Sequence, residues 1–92
     1  MNWMKFPLGK TVATPGALEA LKRNKQGVDE FLANHAAGNW GELTPEDKAE
    51  NELSLKKGFR ILSAYRLNDG TKIWVITEAD RSATTILLPS EY

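Results

Sequence analysis

The chain has 92 residues, 12 Lys+Arg balanced by 12 Asp+Glu, and 41% hydrophobic content, which is the profile of one globular domain, spanning 1–92, with a single core. Zero cysteines exclude disulfides and thiolate nucleophiles, and one histidine leaves too few ligands for the usual metal constellations, so no metal and no cofactor is expected. Apolar runs such as Ile73-Trp74-Val75-Ile76 fall far below the ~18 residues of a membrane span, and no charged-apolar-small leader opens the chain; the expected compartment is the cytoplasm.

Met1 to Val12 leaves two readings open. Trp3, Phe6, Leu8 and Val12 form either a short strand or a loop pinned on the core, since Pro7 and Gly9 interrupt any regular ladder. Gly9-Lys10-Thr11 is no phosphate loop, because Met4 stands where that motif needs glycine. Thr14-Pro15-Gly16-Ala17 predicts a helix start, with a capping hydroxyl and proline at the first helical position, running to about Asn24 behind a stripe of Ala17, Leu18 and Leu21. Past Gly27, Val28, Phe31, Leu32 and His35 recur at i, i+3, i+4 and i+7, a second amphipathic helix ending near Gly38. His35 lies on its apolar side and reads as a core histidine; as a general base it has no second His or Cys to work with.

Gly38-Asn39-Trp40-Gly41-Glu42 places a large aromatic between two helices, where it either plugs the core or anchors a partner. Thr44-Pro45-Glu46-Asp47 repeats the start signal, with acids at the positive end of the helix dipole and Asp47 in the fourth capping-box place. This third helix has thin apolar content, Ala49, Leu53 and Leu55, and closes on Lys56-Lys57 before Gly58.

From Phe59 the period changes to that of strands, Ile61 to Leu67 and Ile73 to Ile76, with Asn68-Asp69-Gly70-Thr71 as the turn between them. A two-residue Asp69-Gly70 turn, the preferred register, sets Tyr65 opposite Trp74; a three-residue loop sets Ala64 there instead. Glu78 to Ser82 is a second turn, and Thr84 to Leu88 a third strand ended by Pro89. The expected fold is α+β: two to three helices on one face of a C-terminal three-stranded antiparallel meander, with the N-terminal strand left open. The outer edge of so short a sheet leaves self-association into a homodimer open.

Zero net charge conceals blocks of sign. Up to Val28, Lys5, Lys10, Lys22, Arg23 and Lys25 stand against Glu19 alone, whereas from Asp29 to Glu52 seven acids face only Lys48. Either the blocks neutralise one another on the folded surface, or the acidic third helix is a face aimed at a basic partner. Such a helix repels a phosphate backbone, which argues against nucleic acid. The densest polar constellation is Thr77 to Thr85, with Glu78, Asp80 and Arg81 at its centre. On one reading Asp80 accepts turn amides and Arg81 pairs with a neighbouring acid; on the other the segment is a recognition loop. Glu78 and Asp80 do not fix the separation that paired-carboxylate hydrolysis needs, and Ser63, Ser82 and Ser90 lack a nucleophile elbow, so no catalytic residue is assigned. The residues expected to bind a protein partner are Trp40, Glu46, Glu50, Trp74, Glu78, Asp80 and Arg81.

Leu8-Gly-Lys-Thr-Val-Ala-Thr-Pro-Gly-Ala-Leu-Glu-Ala-Leu21, Trp40-Gly41-Glu42-Leu43 and the stretch from Ile76 to Tyr92 resemble a group of small uncharacterised, "plasmid-related" bacterial proteins of mobile elements, some labelled restriction-system subunits. The resemblance implies a bacterial cytoplasm and a mobile-element setting, in which a non-enzymatic module modulating a host defence complex fits. The order of elements, with Phe59-Arg60, Tyr65-Arg66 and Asp80-Arg81, is similar to the RelE/ParE toxin fold. That similarity implies action on mRNA or gyrase with Arg60, Arg66 and Arg81 on the sheet, although this chain is neutral where those toxins are basic.

Overall fold

Two Thr-Pro pairs set helix starts in the computed structural model, which describes residues 3–92. The Thr14 side chain accepts the Ala17 amide at 3.2 Å and opens α1 (Pro15–Arg23); Thr44 accepts the Asp47 amide at 3.1 Å and opens α3 (Pro45–Lys57). Each hydroxyl satisfies an amide that has no partner within its helix. Between them α2 (Val28–Ala36) begins at Gly27 with no side-chain cap. Ala17, Ala20 and Leu21 of α1 and Phe31, His35 and Ala36 of α2 are buried.

The strands are β1 (Lys10–Ala13), β2 (Ile61–Arg66), β3 (Lys72–Thr77) and β4 (Ala83–Leu87). They form one sheet of order β1-β4-β3-β2. The expected meander is present as β2-β3-β4, but β1 joins β4 in parallel, Lys10 beside Ala83 and Ala13 beside Ile86, so the sheet is four-stranded and mixed. The N-terminal stretch is therefore a strand from Lys10 on; Met1 and Asn2 lie outside the described residues. The hairpin adopts the register that was not preferred, Ala64 opposite Trp74 and Tyr65 opposite Ile73. Its loop holds Asn68, Asp69 and Gly70 between Leu67 and Thr71, whose backbones bond at 2.8 Å, and Gly70 takes the left-handed conformation (φ 90°) that a three-residue loop requires.

This register puts Ile61, Ser63 and Tyr65 on the same face as Ile73, Val75 and Thr77, and as Thr84 and Ile86 of β4. Val75, Ile73 and Ile86 pack there with Ala17, Ala20, Leu21 and Phe31, each large aliphatic contributing about 1.5–3 kcal/mol by leaving water. A second cluster, Phe6, Trp40 and Ile61, lies next to it with Leu8, Leu43 and Leu55 around it. α1 and α2 cover this face as expected, whereas α3 runs beside the outer edge of β2. It buries Asn51 and Ser54 rather than an apolar stripe, and leaves Leu53 exposed. The opposite face carries Leu62, Trp74, Ile76 and Leu87; Leu62 borders α3, and the short 3-10 turn Pro89–Glu91 and Tyr92 fold back towards Trp74 and β3.

Candidate functional site

His35 is the most deeply placed titratable group described, fully withdrawn from solvent. Its Nδ1 lies 2.6 Å from Ser63 Oγ and its Nε2 2.9 Å from Thr77 Oγ1; Thr77 Oγ1 is 2.6 Å from Thr84 Oγ1, which donates to the Leu8 carbonyl at 2.7 Å. Proton positions follow by elimination. Each hydroxyl has one hydrogen; that of Thr84 is on Leu8, so Thr77 donates to Thr84 and Nε2–H donates to Thr77. Burial drives the ring's pKa from 6.5 down to about 4, so at neutral pH it is uncharged, with its one proton on Nε2 and with Nδ1 accepting from Ser63. Phe6 and Trp40 meet it edge-on, with centroids at 5.1 and 6.1 Å. A serine on a histidine has the look of a nucleophile and its base, but Ser63 is itself fully buried. The geometry is that of a polar tie between α2, β2, β3, β4 and the segment before β1.

Trp40 belongs to the same interior. Its indole is 5% exposed, stacks on Phe6 at 6.2 Å, and donates Nε1–H to Glu52 at 3.0 Å. It plugs the core and offers no surface to a partner. The backbone beside it closes the outer edge of β2: the Ala64 amide donates to the Trp40 carbonyl at 3.1 Å, and the Glu42 amide to the Ala64 carbonyl at 2.7 Å. Gly41 passes so close there that a Cβ would come within 1.9 Å of the Ala64 carbonyl oxygen. One step along β2, Asn51 of α3 takes both backbone groups of Leu62, accepting its amide at 3.1 Å and donating to its carbonyl at 2.6 Å.

The Thr77–Thr85 constellation separates into turn chemistry and a helix cap. Asp80 accepts the Ser82 amide at 3.0 Å, and the hydroxyl and amide of Ser82 hold its carboxyl below the usual range. Arg81 does not pair with an acid, as one reading expected. Its guanidinium donates to the carbonyls of Ser54 (3.0 Å) and Phe59 (2.7 Å) at the end of α3, and to those of Glu78 and Ala79. A cation there satisfies carbonyls at the negative end of the helix dipole. Glu78 is exposed, just past the end of β3.

What remains at the surface is a groove between α3 and β2, enclosing about 370 Å³ and lined by Leu43, Phe59 and Leu62 with Asp47, Glu50 and Arg60. Phe59 is 53% exposed. Arg60 leads from this groove to Tyr92, donating to its hydroxyl and lying 5.4 Å over its ring, and Tyr92 meets Trp74 edge-on at 5.7 Å. Glu46, Asp47 and Glu50 enter no ion pair; among the described residues the ion pairs are Arg23–Asp69 (3.3 Å) and Arg66–Glu42 (2.8 Å). Among the described residues Glu42 is thus the one acid of the block paired with a basic side chain, and Glu46, Asp47 and Glu50 are not neutralised by contact.

Comparison with protein families, curated proteins and solved structures gave no match.

Of the expected binding residues, Glu50 lines the groove, Glu46 is exposed near the start of the same helix, and Trp74 joins through Tyr92 and Arg60. Trp40 lies inside, while Asp80 and Arg81 serve the β3–β4 turn. Phe59 and Leu62 read in sequence as ordinary strand or turn content and are not among the expected site residues, and Arg60 enters only through the toxin similarity. The arginines implied by toxin similarity act apart: Arg60 on Tyr92, Arg66 on Glu42, Arg81 on helix-end carbonyls.

Proposed function

We propose that the chain is a non-enzymatic protein-binding module that takes a segment bearing basic and apolar side chains into the groove between α3 and β2. The observation that carries this reading is the juxtaposition there of unpaired acids, Asp47 and Glu50, with the apolar walls Leu43, Leu62 and exposed Phe59. Apolar walls supply affinity when they leave water, and the rim carboxylates select a cationic partner and speed its approach. Trp74 and Tyr92 extend the surface past Arg60. With the mobile-element setting that the sequence resemblance implies, the partner belongs to a host defence complex.

The test is affinity purification of the tagged protein from its own host, wild type beside Glu50→Lys and Phe59→Ala. The expected result is one stoichiometric partner, retained by the wild type and released by both variants. Recovery of the protein alone across growth conditions overturns the proposal. Growth arrest on expression, relieved by substituting Arg60, Arg66 or Arg81, would replace it with the toxin reading.

A further inference from the structure

The two outer edges of the sheet end differently. That of β2 is occupied by Asn51 on Leu62 and by the Gly41 bridge to Ala64. That of β1 is bare. Parallel pairing sends the Lys10 amide to the Ser82 carbonyl at 3.0 Å and the Thr14 amide to the Ile86 carbonyl at 2.9 Å. In such a ladder one residue gives both its N–H and its C=O to the same neighbour, so Thr11 and Ala13 aim both groups away from β4. Among the described residues no backbone or side chain takes them. Beside this edge lies a shallow apolar groove of about 200 Å³ lined by Val12, Leu18, Val28 and Leu32, and both Val12 (42%) and Leu18 (51%) are conspicuously exposed.

We propose that β1 pairs antiparallel with β1 of a second copy of this chain, about a two-fold axis through Val12. The segment is complementary to itself. With Val12 on the axis, Thr11 of each copy stands opposite Ala13 of the other, and the two pairs exchange four N–H···O bonds that satisfy every outward group of the strand. The same register sets Lys10 opposite Thr14 of the second copy. Thr14 donates its hydroxyl to Glu91, whose other oxygen accepts the Gly16 amide at 3.2 Å. An ammonium in neither ion pair of the described residues thus arrives beside a fixed carboxylate, twice per dimer. This charge match favours a second copy over a foreign strand, which would need to supply both features independently. The product is a continuous eight-stranded sheet in which the exposed Val12 of each copy stands beside the other at the axis.

So short an interface gives a dissociation constant of roughly 10⁻⁵–10⁻⁴ M. It lies at the opposite end of the sheet from the groove of the proposed function and stands or falls without it. The test is sedimentation equilibrium of the full chain from about 10 µM to about 1 mM, a range chosen to bracket that constant, with amide exchange at both ends of the range. The wild type is expected to pass from monomer to dimer, with the Thr11 and Ala13 amides gaining protection at high concentration. Thr11→Pro removes an outward donor that no intrachain bond uses, and Val12→Lys sets two like charges at the axis; each is expected to stay monomeric. Should Thr11→Pro fail to fold, Val12→Lys, at an exposed side chain, decides alone. A wild type that is monomeric throughout, or a dimer that Val12→Lys leaves intact, overturns the proposal.

Discussion

Acidification should destabilise this protein through one side chain, in a pH window of its own. His35 is neutral and fully buried when folded, with its pKa at about 4 against 6.5 for a free histidine. The folded state therefore binds fewer protons than the unfolded one across that interval, and stability falls as pH drops through it. The hydrogen-bond partners of the ring, Ser63 and Thr77, and the aromatic rings that meet it, Phe6 and Trp40, are all uncharged, and desolvation is the cause of the shift. At about 1.36 kcal/mol per unit, lowering the pH from about 7.5 to about 5 removes about 2 kcal/mol, and the full shift is worth about 3.4 kcal/mol. The depressed carboxyls of Asp69, Asp80 and Glu91 lose their contribution only as pH falls below the ordinary carboxylate range, which separates the two effects. Urea denaturation at several pH values, wild type beside His35→Gln, measures the slope. Because the chain has a single histidine, one imidazole resonance reports tautomer and titration directly, and it should show Nε2–H with no titration down to about pH 5. An imidazole titrating near 6.5, or equal pH slopes in the two proteins, would refute the burial-driven shift, and a neutral ring carrying its proton on Nδ1 would refute the tautomer.

Substitutions at two further residues probe the contacts that hold α3. Arg81 sits at φ 61°, a conformation that costs a side-chain-bearing residue about 1–2 kcal/mol, and its guanidinium bonds carbonyls at the C-terminal end of α3; Arg81→Gly and Arg81→Ala both lose those bonds, but the glycine variant should be about 1 kcal/mol more stable in urea. Equal stability would show the backbone to be unstrained. Asn51→Leu leaves the amide and carbonyl of Leu62 without partners and should cost about 1–3 kcal/mol with faster exchange at the Leu62 amide, whereas exchange as slow as in the wild type would show that water replaces the side chain fully.

The helices were legible in sequence because their signals are local. Thr14-Pro15 and Thr44-Pro45 cap as read, and His35 falls in the core that its i+7 place in α2 predicts. The hairpin was legible in place but not in register. Ile73-Trp74-Val75-Ile76 is apolar on both faces, so alternation cannot say which face is buried, and the choice falls to the loop and to Leu67, which turns into the core. β1 was legible only as one of two open readings, strand or pinned loop, because three of its four residues are exposed and its partner lies far along the chain. The docking of α3 was illegible for a related reason: Asn51 and Ser54 hold it by hydrogen bonds and burial, and a polar residue mid-helix ordinarily signals solvent. Of the residues that line the groove, Glu50 stands out in sequence by its charge; Phe59 and Leu62 acquire meaning only once α3 lies beside them.

The parallel union of β1 with β4 also has a consequence for biosynthesis. Leu8 and Thr84, which bond across it, are 76 residues apart in sequence, so during translation the leading strand waits for a mate synthesised long after it. α1, α2 and α3 emerge before any sheet exists to receive them, and the hairpin β2–β3 is the earliest ladder that forms from neighbours in sequence. Closure by β4 is then a late and concerted event. A nascent chain arrested before Ala83 would leave the ribosome with its apolar surfaces uncovered, a natural substrate for chaperones.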